Sequence, residues 1–434
     1  MSYIAAAFQK EDFAGVGGPN IPFPSDGPIA SCVASSPGGP THVLLSDTEA
    51  EHIPGCNMAF RKSWLEAIGG FDPQFRVAGD DVDLCWRLRQ GGGKLGFSPA
   101  AMVWHHYRGS VKAYWKQQKG YGKAEALLEK KWPEKYNPVG HLAWAGRIYG
   151  HGLLGFLEKR AGRIYQGTWG SAAYGRLYGG QANALLSLAL MPEWYLLTVT
   201  LAALSATGYF WKPLFLLAVP LFATVALAPL VPVVRASSRA RVAGDSRSRL
   251  ARLGLQSLTA FLHVLQPLAR LDGRIRHGLA PWRRRNKGEL AFPSGRTLWL
   301  ESKDWKDSLE RLPTLESELR AGGAIVRRGG DFDSWDLEVI GGLFGGARVQ
   351  MADEVDGKGQ QLVRARARPR WAPLGLGLAW ALLALSAAAA YDRAEVAALV
   401  LAMAAITLGA LLFRDSAGAV AAAHGSLRRL GFKD

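Results

Sequence analysis

The chain has 434 residues, a formal net charge of +16 and a hydrophobic share of 49%. That length suits two or three domains, and the basic excess suits a nucleic acid, an anionic membrane surface or an anionic substrate. Cys32, Cys56 and Cys85 form no CxxC pair, which argues against a disulfide framework or a cysteine zinc site and favours a reducing compartment.

The first residues, MSYIAAAFQKEDF, do not read as a secretory signal, because Lys10, Glu11 and Asp12 interrupt the apolar run early. A strand is expected at Phe13–Val16. Gly15, Gly17 and Gly18 could suggest a dinucleotide loop, but Pro19, Pro22 and Pro24 forbid the helix that must follow it, so a turn-rich connection is expected. His42–Ser46 reads as a short strand. The acid-x-acid Asp47-Thr48-Glu49 behind it is a frequent chance pattern and is expected to be an exposed turn. Lys62–Ile68 reads as a short helix ended by Gly69-Gly70.

Asp80, Asp81 and Asp83 open the next helical pattern, whose apolar face is Val82, Leu84, Cys85 and Leu88. Asp80 is expected to cap this helix, since its dipole favours negative charge there. Capping accounts for one acid only; adjacent carboxylates repel, so three of them ask for a cation or a proton to transfer. Gly91-Gly92-Gly93 closes the helix, and short strands are expected at Lys94–Phe97 and Ala101–Trp104. His105 and His106 follow the second strand, where an imidazole can ligate a metal or simply pack.

The run PGCNMAFR, GGFDPQF, GDDVDLCWRL and GFSPAAMVWHHYRGS resembles the acceptor-side half of a family 2 glycosyltransferase of GT-A type over roughly residues 13–130. The resemblance implies an α/β, Rossmann-like partial domain. It implies that Asp81 is the general base, with Asp80 and Asp83 in support. It implies that His105, or else His106, binds Mg²⁺ or Mn²⁺, and that Gly55, Cys56, Asn57, Arg61, Trp86 and Arg87 line the substrate pocket. Such chemistry is an inverting single displacement: a cation neutralises the leaving diphosphate, and a carboxylate takes the acceptor's proton. The family's nucleotide-binding half lies upstream of the GCNMAF segment. Only 54 residues precede Gly55 here, so the chain is expected to be N-terminally truncated or to work with a separate chain that supplies that half.

Val111–Glu129 is expected to be a helix, either interfacial through Tyr114, Trp115, Lys112, Lys116 and Lys119 or packed on the core. His141–Tyr178, rich in Gly, Trp, Tyr and Arg, is expected along a membrane surface. Two apolar pairs follow: Trp194–Phe210 with Pro213–Val234, and Trp371–Ala390 with Val396–Phe413. Arginines after the first pair (Arg235 to Arg285) and after the second (Arg414, Arg428, Arg429) place both regions on the cytoplasmic side, and the catalytic domain with them. Between the pairs, Arg296–Leu300, Ala324–Arg328, Trp335–Ile340, Ala347–Met351 and Gln361–Arg366 read as strands of a small β-rich or α+β domain. Its Asp331-Phe332-Asp333 is expected to be a turn.

The expected organisation is a catalytic part at 1–135, an interfacial linker at 136–183 and a helix pair at 184–234. A basic segment with the small domain follows at 235–370, then the second pair at 371–413 and a tail at 414–434. The expected protein is a multi-pass glycosyltransferase of the cytoplasmic (inner) membrane. Its partners would be a nucleotide-sugar donor, a saccharide or lipid-linked acceptor and the membrane, but no nucleic acid, because the basic run has little aromatic interleaving. The rival reading is a non-catalytic membrane scaffold or partner subunit; a third is a basic membrane protein that binds anionic lipid or nucleic acid.

Overall fold

The computed structural model describes residues 2–434 except 143, 145–162, 167–187, 239–247, 287, 303–304, 331–332 and 356–359. Most of the stretch 141–178 therefore lies outside the described residues, as do Asp331 and Phe332. Two compact units are present, residues 1–203 with 218–279 and residues 204–217 with 280–434.

The first unit begins with α1 (Ser2–Lys10), β1 (Phe13–Gly17), β2 (Asn20–Pro22), α2 (Pro28–Ala34), β3 (Thr41–Leu44), β4 (Glu49–His52), β5 (Met58–Phe60) and α3 (Lys62–Ala67). Then come α4 (Asp80–Gln90), β6 (Lys94–Phe97), β7 (Val103–His105), α5 (Val111–Lys131) and β8 (Arg163–Gln166). The main sheet runs β5-β1-β6-β4-β3-β8, while β2 and β7 form a parallel two-stranded ribbon that pairs Pro22 with His105. β1 and β6 are parallel and the other main-sheet pairs antiparallel, so the sheet is mixed. Helix α4 covers it with Leu84, Cys85 and Leu88, which pack on Ala14, Ile53 and Leu95. The acids at the head of α4 are thus held at the end of β4.

Asp47 and Thr48 form an exposed turn in which the Ser46 hydroxyl accepts from the backbone N–H groups of Thr48 and Glu49. Helix α5 is packed rather than interfacial. It buries Tyr114, Gln118, Gly122 and Ala124. Its partner is α9 (Arg249–Arg276), which follows the apolar helices α6 (Trp194–Thr207), α7 (Lys212–Leu227) and α8 (Leu230–Ser238). A methyl on Gly122 would lie 2.3 Å from the Arg270 carbonyl oxygen, and one on Gly273 would lie 2.2 Å from that of Lys119. The two glycines are what let the backbones touch. Lys119 and Asp272 seal the crossing at 2.6 Å. The arginine-rich segment that begins this far along the chain is therefore partly folded onto the first unit through α9.

The second unit holds β9 (Arg296–Ser302), α10 (Ser308–Ala321), β10 (Ile325–Arg328), β11 (Leu337–Ile340), β12 (Gly345–Val355) and β13 (Gln361–Trp371), followed by α11 (Pro373–Tyr391) and α12 (Glu395–Arg429). Its strands form one antiparallel sheet, β10-β11-β12-β13-β9. The stretch expected as a tail, 414–434, continues α12 and lays Ala419, Val420, Ala423 and Leu427 on Val339, Val349 and Ala365 of the sheet. Asp333 accepts from the Gly330 N–H, as a turn residue does.

Three helical stretches are long and apolar enough to cross a bilayer: Lys212–Ser238, Pro373–Tyr391 and Glu395–Arg429; Trp194–Phe210 is apolar but shorter. Four spans in two pairs were expected, so the described residues supply three of spanning length. Ahead of residue 414, these stretches turn large apolar side chains outward, with Leu216, Trp380, Leu399 and Ile406 all exposed. Such surface on a helix that is apolar all round suits lipid rather than water.

Candidate active site

Gly79, not Asp80, caps α4, in the left-handed region at φ 87°. Freed from capping, Asp81 turns its carboxylate back toward the loop after β4. The Gly55 N–H donates to its Oδ2 at 2.9 Å, and the Val82 N–H donates to its Oδ1 at 2.9 Å. His52, the last residue of β4, places Nε2 at 3.6 Å from Asp81 Oδ2. That is an ion-pair separation and too long for a hydrogen bond. The other ring nitrogen, Nδ1, lies 2.9 Å from the Thr41 carbonyl oxygen, which can only accept, so Nδ1 carries a proton. Nε2 then presents a proton to Asp81 only when the ring is cationic.

Burial alone would raise the Asp81 carboxyl; His52 and the N–H groups of Gly55 and Val82 outweigh it and hold the group below its usual range. Asp80 goes the other way, pushed up by burial and then by the charge of Asp81. The neighbouring carboxylates thus shift in opposite directions: Asp81 stays ionised, and Asp80 holds a proton more readily.

Asp83 lies apart from this pair. It is fully buried, and its oxygens are taken by Arg87 Nε at 2.8 Å, Trp132 Nε1 at 2.9 Å and Lys131 Nζ at 2.7 Å. Arg87 also donates to the Ile68 and Gly70 carbonyls, so it clasps the end of α3. Arg61 donates to the carbonyls of Phe13 and Phe8. Asn57 is buried and donates to the carbonyls of Gly18, Pro19 and Ala101. These four side chains, expected to serve the site or the substrate, are spent on the frame. Trp86 is buried among Trp132 and Trp144. Gly55 is exposed, and Cys56 is half-buried, its sulfur accepting an N–H from Asn20 at 2.9 Å. Burial raises the Cys56 thiol, so it stays protonated.

His105 and His106 gather a different group. His106 Nδ1 lies 2.6 Å from Asp26 Oδ1, and His105 packs edge-on against Tyr107 at 5.0 Å. A small cavity of about 130 Å³ is lined there by Gly38, Gly39, His105, Tyr107 and Arg108. Burial lowers His105, and the Arg108 charge adds to that effect. Asp81 and His105 share no contact among the described residues. The Tyr121 hydroxyl is raised first by burial and feels the charges of Arg270, Asp81 and Arg108. Tyr107, pushed up to about 12 by burial, feels Cys56 and Tyr121.

For a divalent cation the expected histidines offer one carboxylate neighbour, Asp26, and no cluster of three or more His, Cys, Asp or Glu side chains is present among the described residues. That donor set falls short of the several hard oxygen ligands that Mg²⁺ or Mn²⁺ takes.

His52, Asn20 and Tyr121 carry no local sequence pattern that marks a site. His52 lies three residues before Gly55, and that nearness is its one signal in the sequence. The pair it forms with Asp81 spans 29 residues and exists only once the β4 loop folds over α4.

A loop from one strand end thus folds over paired aspartates at a helix head, beneath the end of a parallel ribbon. Residues 43–234 match the family model for glycosyl transferase family group 2. The matched segment contains His52, Gly55, Asp80, Asp81, His105 and the first apolar helices. Similar proteins are named as glycosyltransferases. Two, each called pre-mycofactocin glycosyltransferase, come from Mycobacterium tuberculosis strains CDC 1551 / Oshkosh and ATCC 25618 / H37Rv. Each is 31% identical over 115 residues, 25% of this chain and 24% of the relative. Probable glycosyltransferase YdaM of Bacillus subtilis strain 168 is 35% identical over 66 residues, 15% of each. The chain spans about a quarter of the length of the first of these relatives. Together the findings support a family 2 glycosyltransferase, and hence a transferase, with helices suited to a membrane.

Proposed function

We propose that this chain is a membrane-bound inverting glycosyltransferase that moves a sugar from a nucleotide-sugar donor to a saccharide or lipid-linked acceptor of the cell envelope. The reading rests on Asp81, an ionised carboxylate with 21% of its side chain exposed, fixed by two backbone N–H groups and His52. In the proposed step Asp81 takes the proton of an acceptor hydroxyl. The freed oxygen attacks the anomeric carbon from the face opposite the nucleoside diphosphate. The carbon–oxygen bond to the phosphate breaks, and the diphosphate leaves with the electron pair. Asp80, raised by burial and by Asp81, leaves the negative charge on its neighbour.

The exposed apolar surface of Pro373–Tyr391 and Glu395–Arg429, with arginines beyond Phe413, supports the inner membrane and a cytosolic catalytic side. The test is Asp81→Asn in the detergent-solubilised full chain, assayed by release of nucleoside diphosphate from nucleotide sugars in the presence of acceptor. Loss of a positioned base costs about 10²–10⁴-fold in rate. Activity within about twofold of the parent, too little to be a lost base, removes Asp81 from this role.

A further inference from the structure

The second unit contains a groove of about 580 Å³ between α12, the end of α10 and the segment before β9. Its size falls within the roughly 300–1,000 Å³ usual for small-molecule sites, and it belongs to no part of the aspartate site.

Its floor is small: Ala421 and Gly425, one helical turn apart on α12, leave room where larger side chains would fill it. Two buried polar side chains line it with unpaired atoms. Asn286 and His424 are each 5% exposed, and neither Asn286 Oδ1 nor His424 Nε2 has a partner among the described residues. Asn286 is held in place by its Nδ2, which donates to the Ile340 carbonyl. Buried polar atoms left unpaired cost roughly 1–3 kcal/mol each, so a ligand that pairs with them recovers that cost.

The chemistry of the lining narrows the ligand. Asn286 Oδ1 can only accept, so it calls for a donor. At the mouth stand Glu289 and Arg296, side chains of opposite charge with no hydrogen bond or ion pair among the described residues. Beside them the Phe292 ring is 73% exposed, steadied on one edge by Phe413 at 5.9 Å. An anion would gain from Arg296, but the groove's other arginines, Arg428 and Arg429, are already paired with Asp434 and Glu318, and an anion would leave Asn286 Oδ1 without a donor. A neutral polyol meets these demands. Its hydroxyls donate to Asn286 and Glu289, accept from Arg296 and pair with His424 Nε2 in either role, and the C–H face of a pyranose ring covers Phe292.

We infer that this groove is a second, non-catalytic saccharide site that binds a neutral hexose unit of a glycan. The site stands on its own lining and does not require the aspartate chemistry.

The test uses the full chain in nanodiscs, with saturation-transfer NMR and calorimetry against maltotriose, cellotriose, mannotriose and chitotriose. Inorganic phosphate and glucose 6-phosphate serve as anionic arms. At least one neutral trisaccharide is expected to bind saturably. Phe292→Ala and Glu289→Gln, both at exposed positions, each weaken it by about tenfold, or about 1.4 kcal/mol. Asp81→Asn is expected to leave that binding intact, which separates this site from the transferase reading. The inference is overturned if none of the four sugars binds at millimolar concentration, as for a groove filled by water alone. It is equally overturned if binding survives Phe292→Ala and Glu289→Gln together, or if phosphate binds in place of the sugars.

Discussion

Replacing His52 probes the proposed base without touching it. His52 Nε2 lies 3.6 Å from Asp81 Oδ2, and the side chains are 7% and 21% exposed. At 3.6 Å two unit charges attract by about 1 kcal/mol in water and about 4–5 kcal/mol at an effective dielectric of 20. With both groups largely sheltered, the loss on His52→Gln falls in the upper part of that range while the imidazole is charged. Burial, the largest influence on Asp81, then goes unopposed except by the Gly55 and Val82 N–H groups, so the carboxyl titrates at higher pH. The sign follows from the depressed native value: the protonated carboxyl cannot serve as base, so activity is lost as pH falls through it. The acid limb of kcat/KM against pH is therefore expected to move up in His52→Gln, with the neutral plateau kept. Stability follows the same rule. The contribution of Asp81 is present above its unfolded value and lost as pH falls through the folded one, so the variant begins to unfold at less acidic pH. The measurement is a pH–rate profile on parent and variant in the same detergent. An acid limb that stays put, or moves down, refutes the coupling of His52 to Asp81.

Asp83→Ala removes the buried acceptor that Arg87, Lys131 and Trp132 share; Lys131 keeps Asp72 at 2.6 Å and Arg87 its two carbonyls, so the cost is expected at the low end of the about 3–5 kcal/mol for a broken buried pair; chemical denaturation followed by fluorescence of the neighbouring Trp132 reads it. Gly273→Ala drives a methyl to 2.2 Å from the Lys119 carbonyl oxygen, and overpacking of this kind costs about 1–3 kcal/mol; faster proteolysis between α5 and α9 is the expected sign. Leu427→Ala, at a fully buried position against the second sheet, costs about 2–5 kcal/mol. Hydrogen exchange should then speed up in β9 to β13 and leave β1 to β6 unchanged.

How far a sequence speaks depends on how local the cause is. The head of α4 was legible because three acids before an apolar face, closed by Gly91-Gly92-Gly93, form a pattern that neighbouring residues complete. The strands between 296 and 371 were legible for the same reason, since alternation and paired glycines mark them; their bounds moved, β10 and β11 being shorter than expected and β12 and β13 longer, as these two pair residue for residue from Gly345–Trp371 to Val355–Gln361. The apolar runs were legible from composition, although Trp194–Phe210 proved shorter than a span.

What the sequence could not decide was which polar side chains would be free. Asp81 and Asp83 differ by two places on one helix, which turns them about 200° apart. One meets Gly55 and His52, the other Lys131, Arg87 and Trp132. Asn57, Arg61 and Arg87 belong to the most recognisable segments, yet their donors are consumed by distant carbonyls. Gly122 has the low helix propensity of any glycine, yet it is where α5 meets α9, some 150 residues away. Helix, strand and turn follow from neighbours along the chain. The sharing of hydrogen bonds and charges follows from neighbours in space, and those exist only after the sheet, α4 and α9 have closed around them.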